Sequence, residues 1–310
     1  MSFSTTATAA AVARFDSRLV TAFCDRSRSE STRRNYRQVI EEFFDYMNHS
    51  HPALLSSTDV SQWRDRLVEA GKRPATVTLK LAVIRSFYEY LKIGGIVVTN
   101  PAAAELVRPP KAQSTKQRRT LSSRDIFNLL AGPDRNSAEG ARDYALLQII
   151  WKLSLRLDEV SALRVSSIFR NEPTWALMIN ARNGRNRIIT LPDDIKSAID
   201  NYLILDEERR RRPGVRSNGQ DAFLFQPICN YRTLEFNRPL TTRMIRYIVK
   251  RWTEYAGLEH ASPRDARRTF IVSALERGLS CSEIKALGGW KSSKTLARYR
   301  SENCQADASR

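Results

Sequence analysis

The chain is poor in the residues that most often build metal and disulfide centres. Among 310 residues there are four cysteines (Cys24, Cys229, Cys281 and Cys304) and three histidines (His49, His51 and His260). No two cysteines have zinc-ligand spacing, and the histidines form no cluster. The cysteines are therefore expected to be reduced, incidental thiols in a reducing compartment. No apolar run approaches membrane-spanning length, which argues against a membrane partner. Residues 1–20 are rich in Ala, Ser and Thr but lack the continuous apolar stretch of a secretory signal. A flexible tail over residues 1–15 is the expectation there. No internal repeat and no glycine-rich phosphate loop is found, and neither cofactor nor metal is expected. Acidic residues are also short, 33 against 51 Lys plus Arg, which leaves a formal net charge of +18. That excess favours a polyanionic partner, foremost nucleic acid, over a basic protein merely kept soluble by its charge. The 42% hydrophobic content is enough for packed cores, and the length suggests two domains.

The N-terminal half reads as helices. Tyr36, Ile40, Phe43 and Met47 fall on one apolar face, and Val77, Leu81, Ile84, Tyr88 and Leu91 on another. Asn100-Pro101 and Pro109-Pro110 end the pattern. Residues 108–119 contain five basic residues and no acidic one. This stretch reads either as a linker lying along a phosphate backbone or as a plain solvated linker. The predicted layout is a helical DNA-binding domain over 16–107, that linker, and a second domain over 120–310.

In the second domain Ser122 and Asp125 have capping-box spacing, so a helix is predicted to start there. The apolar stretch from Tyr144 to Leu155 predicts a buried helix, and residues 158–163 a short one, which leaves Arg156 at their junction. Trp175–Ala181 and Arg187–Leu191 read as two strands around the hairpin signal Asn183-Gly184. Arg182 and Arg185 would then flank the turn. The four arginines at 209–212 read first as a solvated helix end or loop, and only second as a DNA contact. Ser262-Pro263-Arg264-Asp265 predicts a helix start, with Arg264 and Arg267 on one face in successive turns. Gly288-Gly289 is expected to end a helix that begins near Ser282. Ser292 or Ser293 would cap a last helix carrying Tyr299.

These residues suggest a chemistry. A phenol such as that of Tyr299 can attack phosphorus and be released again, so a strand can be cut while its bond energy is kept. Arginine forks at Arg156 and Arg267 can hold the charge that builds on phosphate oxygens. Each residue also has an ordinary reading. Arg156 could cap a helix or pair structurally with Glu159, Trp290 could be core, and Tyr299 could be a packed aromatic near a chain end.

The order and spacing of these residues resemble the tyrosine recombinases, or phage integrases. Thr32-Arg33-Arg34-Asn35-Tyr36 and the stretch from Thr76 to Leu91 look like the family's helical core-binding domain. Leu155-Arg156-Leu157-Asp158-Glu159-Val160 is similar to its first arginine box, with Arg156 as the first catalytic arginine and Glu159 as the acidic residue one turn later. Arg264-Asp265-Ala266-Arg267-Arg268-Thr269-Phe270 resembles the second box, with Arg267 as its arginine. Leu287-Gly288-Gly289-Trp290 looks like the box that carries His or Trp, and Tyr299 stands where the family keeps its nucleophile. Two departures stand out. Arg264 occupies the place of the family's usual histidine, and Arg182 that of its β-hairpin lysine. No lysine occurs between Lys152 and Lys196. Arginine can hydrogen-bond a phosphate oxygen, but it is a poor proton donor because its pKa exceeds ~12.

The resemblance implies a mainly α fold with a small β-sheet (α+β). A core-binding domain and a catalytic domain would form a C-shaped clamp on DNA. It implies a site-specific DNA recombinase or integrase that works through a 3′-phosphotyrosine intermediate and a four-way junction, without metal. Arg156, Glu159, Arg182, Arg264, Arg267, Trp290 and Tyr299 are the expected catalytic set. Arg33, Arg34, Arg37, Lys72, Arg73, Lys80 and Arg185 are candidates for DNA contact. The implied partner is double-stranded DNA bearing a specific recombination site, bound by a homotetramer on two sites, in the cytoplasm with the nucleoid. The alternative is a sequence-specific DNA-binding protein of the same fold with reduced catalysis.

Overall fold

The computed structural model describes residues 16–111, 120–180, 186–207, 222–228, 238–259, 261–290, 292, 296, 297 and 299. The chain divides into two compact units, residues 1–116 and 117–310. Among the described residues it is mainly helical, with one small antiparallel sheet.

The first unit holds helices α1 (Ser17–Asp25), α2 (Glu30–Tyr46), α3 (Ser57–Glu69) and α4 (Pro74–Ile93). Each start follows local chemistry. Asp16, Ser29 and Ser56 accept from backbone N–H groups of the first turns, and Pro74 sits at the first helical position of α4. The helical period then turns the apolar residues inward. Ile40, Phe43 and Met47 of one predicted face are buried, and so are all five of the other, Val77, Leu81, Ile84, Tyr88 and Leu91. Tyr36 packs at the edge of the same core. Aromatic rings dominate that core: Phe43 meets Phe44 and Trp63 edge-on at 5.1 and 5.0 Å. The chain leaves α4 through Asn100. Its side chain donates to the Arg85 carbonyl at 3.0 Å and accepts from the Ala102 amide at 3.0 Å. Arg64 donates to the Arg108 carbonyl at 3.2 Å, so the first residue of the basic stretch is held on this unit.

The second unit is built around α6 (Ala138–Lys152), which packs against α8 (Asp193–Leu205) and α10 (Pro263–Glu276). Buried residues of α6 occupy almost its whole circumference, as expected of a helix enclosed on all sides. The charge of Asp143 is tolerated there because Arg142 donates to one oxygen at 2.7 Å and the Trp252 indole to the other at 2.9 Å. Trp252 lies on α9 (Thr242–Tyr255). Helix α5 (Ser123–Ala131) opens with the predicted capping box of Ser122 and Asp125. Helix α7 (Leu157–Ala162) follows α6, and α11 (Cys281–Gly288) follows α10.

Strands β1 (Ile168–Asn171), β2 (Thr174–Ile179) and β3 (Arg187–Leu191) form a sheet in the order β1-β2-β3. In the β2–β3 pair Ile179 stands opposite Arg187. Three features differ from the sequence reading. The buried helix begins at Ala138 and stops at Lys152, because Ser154 adopts a left-handed backbone (φ 58°) before Arg156. Strand β1 was not anticipated, since its four residues show too little alternation to be seen. Helices α8 and α9 also lie beyond what was read. The predicted turn at Asn183-Gly184 and the arginines at 209–212 fall outside the described residues, as does most of the last helix. No helix among the described residues is long and apolar enough to cross a membrane.

Candidate active site

Three arginines meet at the end of α11. Arg187 donates through Nε to the Leu287 carbonyl at 3.0 Å. Arg267 donates through Nη2 to the Gly288 carbonyl at 2.8 Å, and Arg156 through Nη2 to the Gly289 carbonyl at 2.6 Å. Three successive carbonyls thus each accept from a different guanidinium. These oxygens stand at the C-terminal end of a helix, where backbone carbonyls lack helical partners and the dipole is negative. The cluster of positive charge is therefore held by the one backbone feature suited to it.

Two glycines make the approach possible. Gly289 caps α11 in the left-handed region (φ 64°), and a Cβ on it would stand 2.7 Å from Nη1 of Arg187. A Cβ on Gly288 would collide with the ring of Trp290. The pair both ends the helix, as predicted, and lets two side chains reach its carbonyls. Helix α11 begins at Cys281, capped by Ser280, next to the expected start near Ser282.

Arg156 is the N-cap residue of α7, at the predicted junction. Its amide donates to Oε2 of Glu159 at 2.8 Å and its Nη1 to Oε1 at 2.9 Å. Glu159 also accepts two bonds from Arg187, at 2.8 and 3.0 Å. Its carboxylate is 4% exposed. Burial pushes this carboxyl up, but the bonds from Arg187 and the Arg156 amide, with both guanidinium charges, outweigh that. Its pKa lies below the ordinary glutamate value.

Arg267 comes from the second turn of α10, whose start carries the predicted Ser262, Pro263 and Asp265. Its Nη1 donates to the carbonyl of Ser154, the residue with left-handed backbone. Its guanidinium lies 4.2 Å above the Trp290 ring, which stacks in turn on Phe270. Burial, reinforced by the Arg156 charge, pulls its pKa down to about 10. It remains a cation at neutral pH, held where water solvates it poorly.

Tyr299 is half-buried and packs on the small core of Phe270, Ile271, Ala274, Ile284 and Leu296. The guanidinium of Arg268 lies 5.4 Å from the centre of its ring. Arg264 is exposed on the first turn of α10 and makes none of the contacts that join Arg156, Arg187 and Arg267. Arg182 and Arg185 lie outside the described residues. Arg187 is the residue that sequence reasoning missed. The signal was there, since strand alternation puts it on the same face as the buried Ile189 and Leu191.

Six of the seven candidates for DNA contact, all but Arg185, stand in the first unit. Arg37, Lys72 and Arg73 are exposed. Arg34 pairs with Glu30 at 2.8 Å on the surface, and Arg33 lies 3.7 Å from Asp25. Lys80 is mostly buried and ion-paired with Glu42. Cys24 and Cys281 are free thiols, and the described residues contain no group of His, Cys, Asp and Glu suited to a metal.

The described residues thus combine a helical unit with a mixed unit that carries an arginine cluster, a tryptophan and a tyrosine. Residues 119–306 match the phage integrase family, and residues 15–94 match its N-terminal SAM-like domain. The chain belongs to the phage integrase family, the tyrosine recombinases. It is 25% identical over 276 residues to tyrosine recombinase XerC of Thermodesulfovibrio yellowstonii, covering 87% of this chain and 85% of the relative. Tyrosine recombinase XerD of Listeria innocua is also 25% identical over 276 residues, covering 87% and 88%. Among solved structures, XerH recombinase bound to palindromic difH substrate, a post-cleavage complex, superposes with a TM-score of 0.68 at 15% identity, over 96% of this chain and 90% of the other. A lambda integrase dimer bound to a COC′ core site gives 0.63 at 16% identity, over 91% and 93%.

Proposed function

We propose that this protein is a site-specific DNA recombinase that cuts and rejoins strands through Tyr299. The observation that supports it best is the arginine cluster: Arg156 and Arg267 reach adjacent carbonyls, Gly289 and Gly288, with Trp290 beneath and Tyr299 on the neighbouring core. Each guanidinium nitrogen of these two residues that bonds protein keeps a second hydrogen for a phosphate oxygen.

In the reaction, the Tyr299 phenolate attacks the scissile phosphorus in line. The bond from phosphorus to the 5′ oxygen breaks, a 3′-phosphotyrosine forms, and the departing oxygen takes up a proton as a 5′ hydroxyl. The 5′ hydroxyl of another strand reverses the step. Such a transfer depends mainly on positioning and on stabilising charge, which is what two fixed arginines supply. Arg264 and Arg182 would bind or polarise phosphate oxygens, with the leaving-group proton delivered by water, since arginine donates protons poorly.

The helical unit and the catalytic unit would clamp duplex DNA bearing a recombination site, with Arg33, Arg34, Arg37, Lys72, Arg73, Lys80 and Arg185 as candidate backbone contacts. A tetramer on two sites, exchanging strands through a four-way junction in the nucleoid, completes the proposal. If six to ten phosphates are neutralised, affinity falls ~10³–10⁵-fold between 50 and 200 mM salt.

Covalent capture tests this. A site is recovered by selecting the protein on random-sequence duplexes, and a nicked duplex carrying it is incubated with the protein without metal. A denaturing gel should show an adduct that Tyr299→Phe abolishes. Specific binding with no adduct from the wild type supports instead a DNA-binding protein of reduced catalysis, with Arg182 and Arg264 as the first substitutions to reverse.

A further inference from the structure

We propose that Arg187 is a positioning residue of the strand-transfer centre, which fixes Arg156 and the α11 turn by way of Glu159 and the Leu287 carbonyl. The proposal rests on the reading of the site given above and adds to it a residue outside the expected catalytic set.

Three observations carry it. First, every nitrogen of the Arg187 guanidinium is committed. Nε donates to the Leu287 carbonyl at 3.0 Å, Nη1 to Oε1 of Glu159 at 2.8 Å and Nη2 to Oε2 at 3.0 Å. With its side chain only 12% exposed, it is better placed to hold protein groups than substrate. Second, it completes Glu159. A carboxylate offers about four acceptor positions, and here Arg187 fills two while the Arg156 amide and Nη1 fill the others. Without Arg187 the carboxylate loses two of its four bonds, and the Arg156 fork keeps a less constrained acceptor. Third, it joins three elements. Arg187 is the first residue of β3, Glu159 lies on α7, and Leu287 lies on α11. The next carbonyls along α11 hold Arg267 and Arg156. One side chain therefore sets both the acceptor that orients Arg156 and the turn on which both arginines rest.

The geometry is a planar fork against a planar carboxylate, which lysine cannot reproduce. A positioning role and a merely structural ion pair make different forecasts. An ion pair that only supports folding changes stability. DNA binding and cleavage would then fall together, if at all, through loss of folded protein. A positioning residue affects the chemical step while binding persists.

The test compares wild type, Arg187→Met, Arg187→Lys, Glu159→Gln and the double variant Arg187→Met with Glu159→Gln. The probe is the nicked duplex carrying the selected site. Three quantities are read: folded fraction by thermal melting, Kd by anisotropy, and the single-turnover rate of adduct formation. For Arg187→Met the Kd is expected to stay within about threefold, while the rate drops ~10²-fold, the scale of a lost preorganised electrostatic contact. Arg187→Lys should recover part of that rate, since it restores the charge without the fork. The two single effects should not add, because both act on the orientation of Arg156. A wild-type adduct rate in folded Arg187→Met overturns the proposal and leaves the recombinase reading intact. Parallel losses in Kd and rate without lysine recovery also overturn it, in favour of a structural pair. Should Arg187→Met fail to fold, Arg187→Lys carries the test, and an unchanged rate there overturns the proposal. No adduct from the wild type overturns the recombinase reading, and this proposal with it.

Discussion

The guanidinium of Arg267 lies 4.2 Å above the ring of Trp290, and the indole stacks on Phe270 behind it. The tryptophan is thus a floor for a cation that burial partly desolvates. A desolvated cation over an indole gains about 2 kcal/mol, which would slow adduct formation ~30-fold if that contact were lost in the transition state. Trp290→Ala is expected to show a loss of this order, while Trp290→Phe, which keeps an aromatic face, should lose less than about fivefold. Single-turnover rates on the nicked duplex decide it, and equal losses in the two variants would argue against the cation–π role.

Arg267 also spans two carbonyls, Ser154 on one side and Gly288 on the other. A lysine could satisfy one of them but not both while still facing a phosphate. Arg267→Lys is therefore expected to lower the cleavage rate by ~10²-fold or more. DNA affinity should change by only a few fold, because most affinity comes from many backbone contacts. A rate close to wild type would mean that charge alone suffices and the fork is dispensable.

Much of this site was legible because its signals are local. Arg156 is exposed as a junction residue by the change from an apolar run to a capping pattern, and Ser262, Pro263 and Asp265 announce a helix start within four residues. Gly288 and Gly289 announce an end. The helical faces of the first unit follow from a period that needs no tertiary information. What holds the site together was not legible in the same way. The acceptors are backbone carbonyls, which every residue carries, so nothing in Leu287-Gly288-Gly289 tells which arginines will meet them. Arg187 was hidden for a related reason. Strand alternation puts it on the face of Ile189, but no local signal points it to Glu159, 28 residues away. Ser154 shows the converse, since an unremarkable serine occupies a backbone conformation that favours glycine.

Ser154 has φ 58°, is fully buried, and its hydroxyl has no hydrogen-bond partner among the described residues. A non-glycine residue in the left-handed region costs about 1–2 kcal/mol, and an unsatisfied buried hydroxyl adds about 1–3 kcal/mol. Glycine removes both terms but gives back about 0.5–1 kcal/mol through unfolded-state entropy. Ser154→Gly is thus expected to stabilise the protein by about 1 kcal/mol or more in urea unfolding. The carbonyl that accepts from Arg267 is unchanged, so the adduct rate should remain within about twofold. A destabilised variant would show that the hydroxyl contributes to packing more than it costs.

Glu159 links the stability of the site to pH. Its folded-state pKa is lowered from the ordinary 4.5, so the folded protein binds this proton less readily than the unfolded chain. The stabilisation is therefore fully present above pH 4.5 and is lost as pH falls through the lower folded value. Glu159→Gln keeps the shape but cannot titrate, and it leaves Arg156 and Arg187 without a counter-charge. Removing one partner of a buried ion pair costs about 3–5 kcal/mol. The stability gap between wild type and Glu159→Gln is expected to be largest and flat from about pH 7 to about pH 5, then to narrow as the wild-type carboxylate takes up its proton. Urea unfolding across that range measures the gap directly. A gap that stays constant well below pH 4.5 would mean that the side chain contributes by its shape and not by its charge.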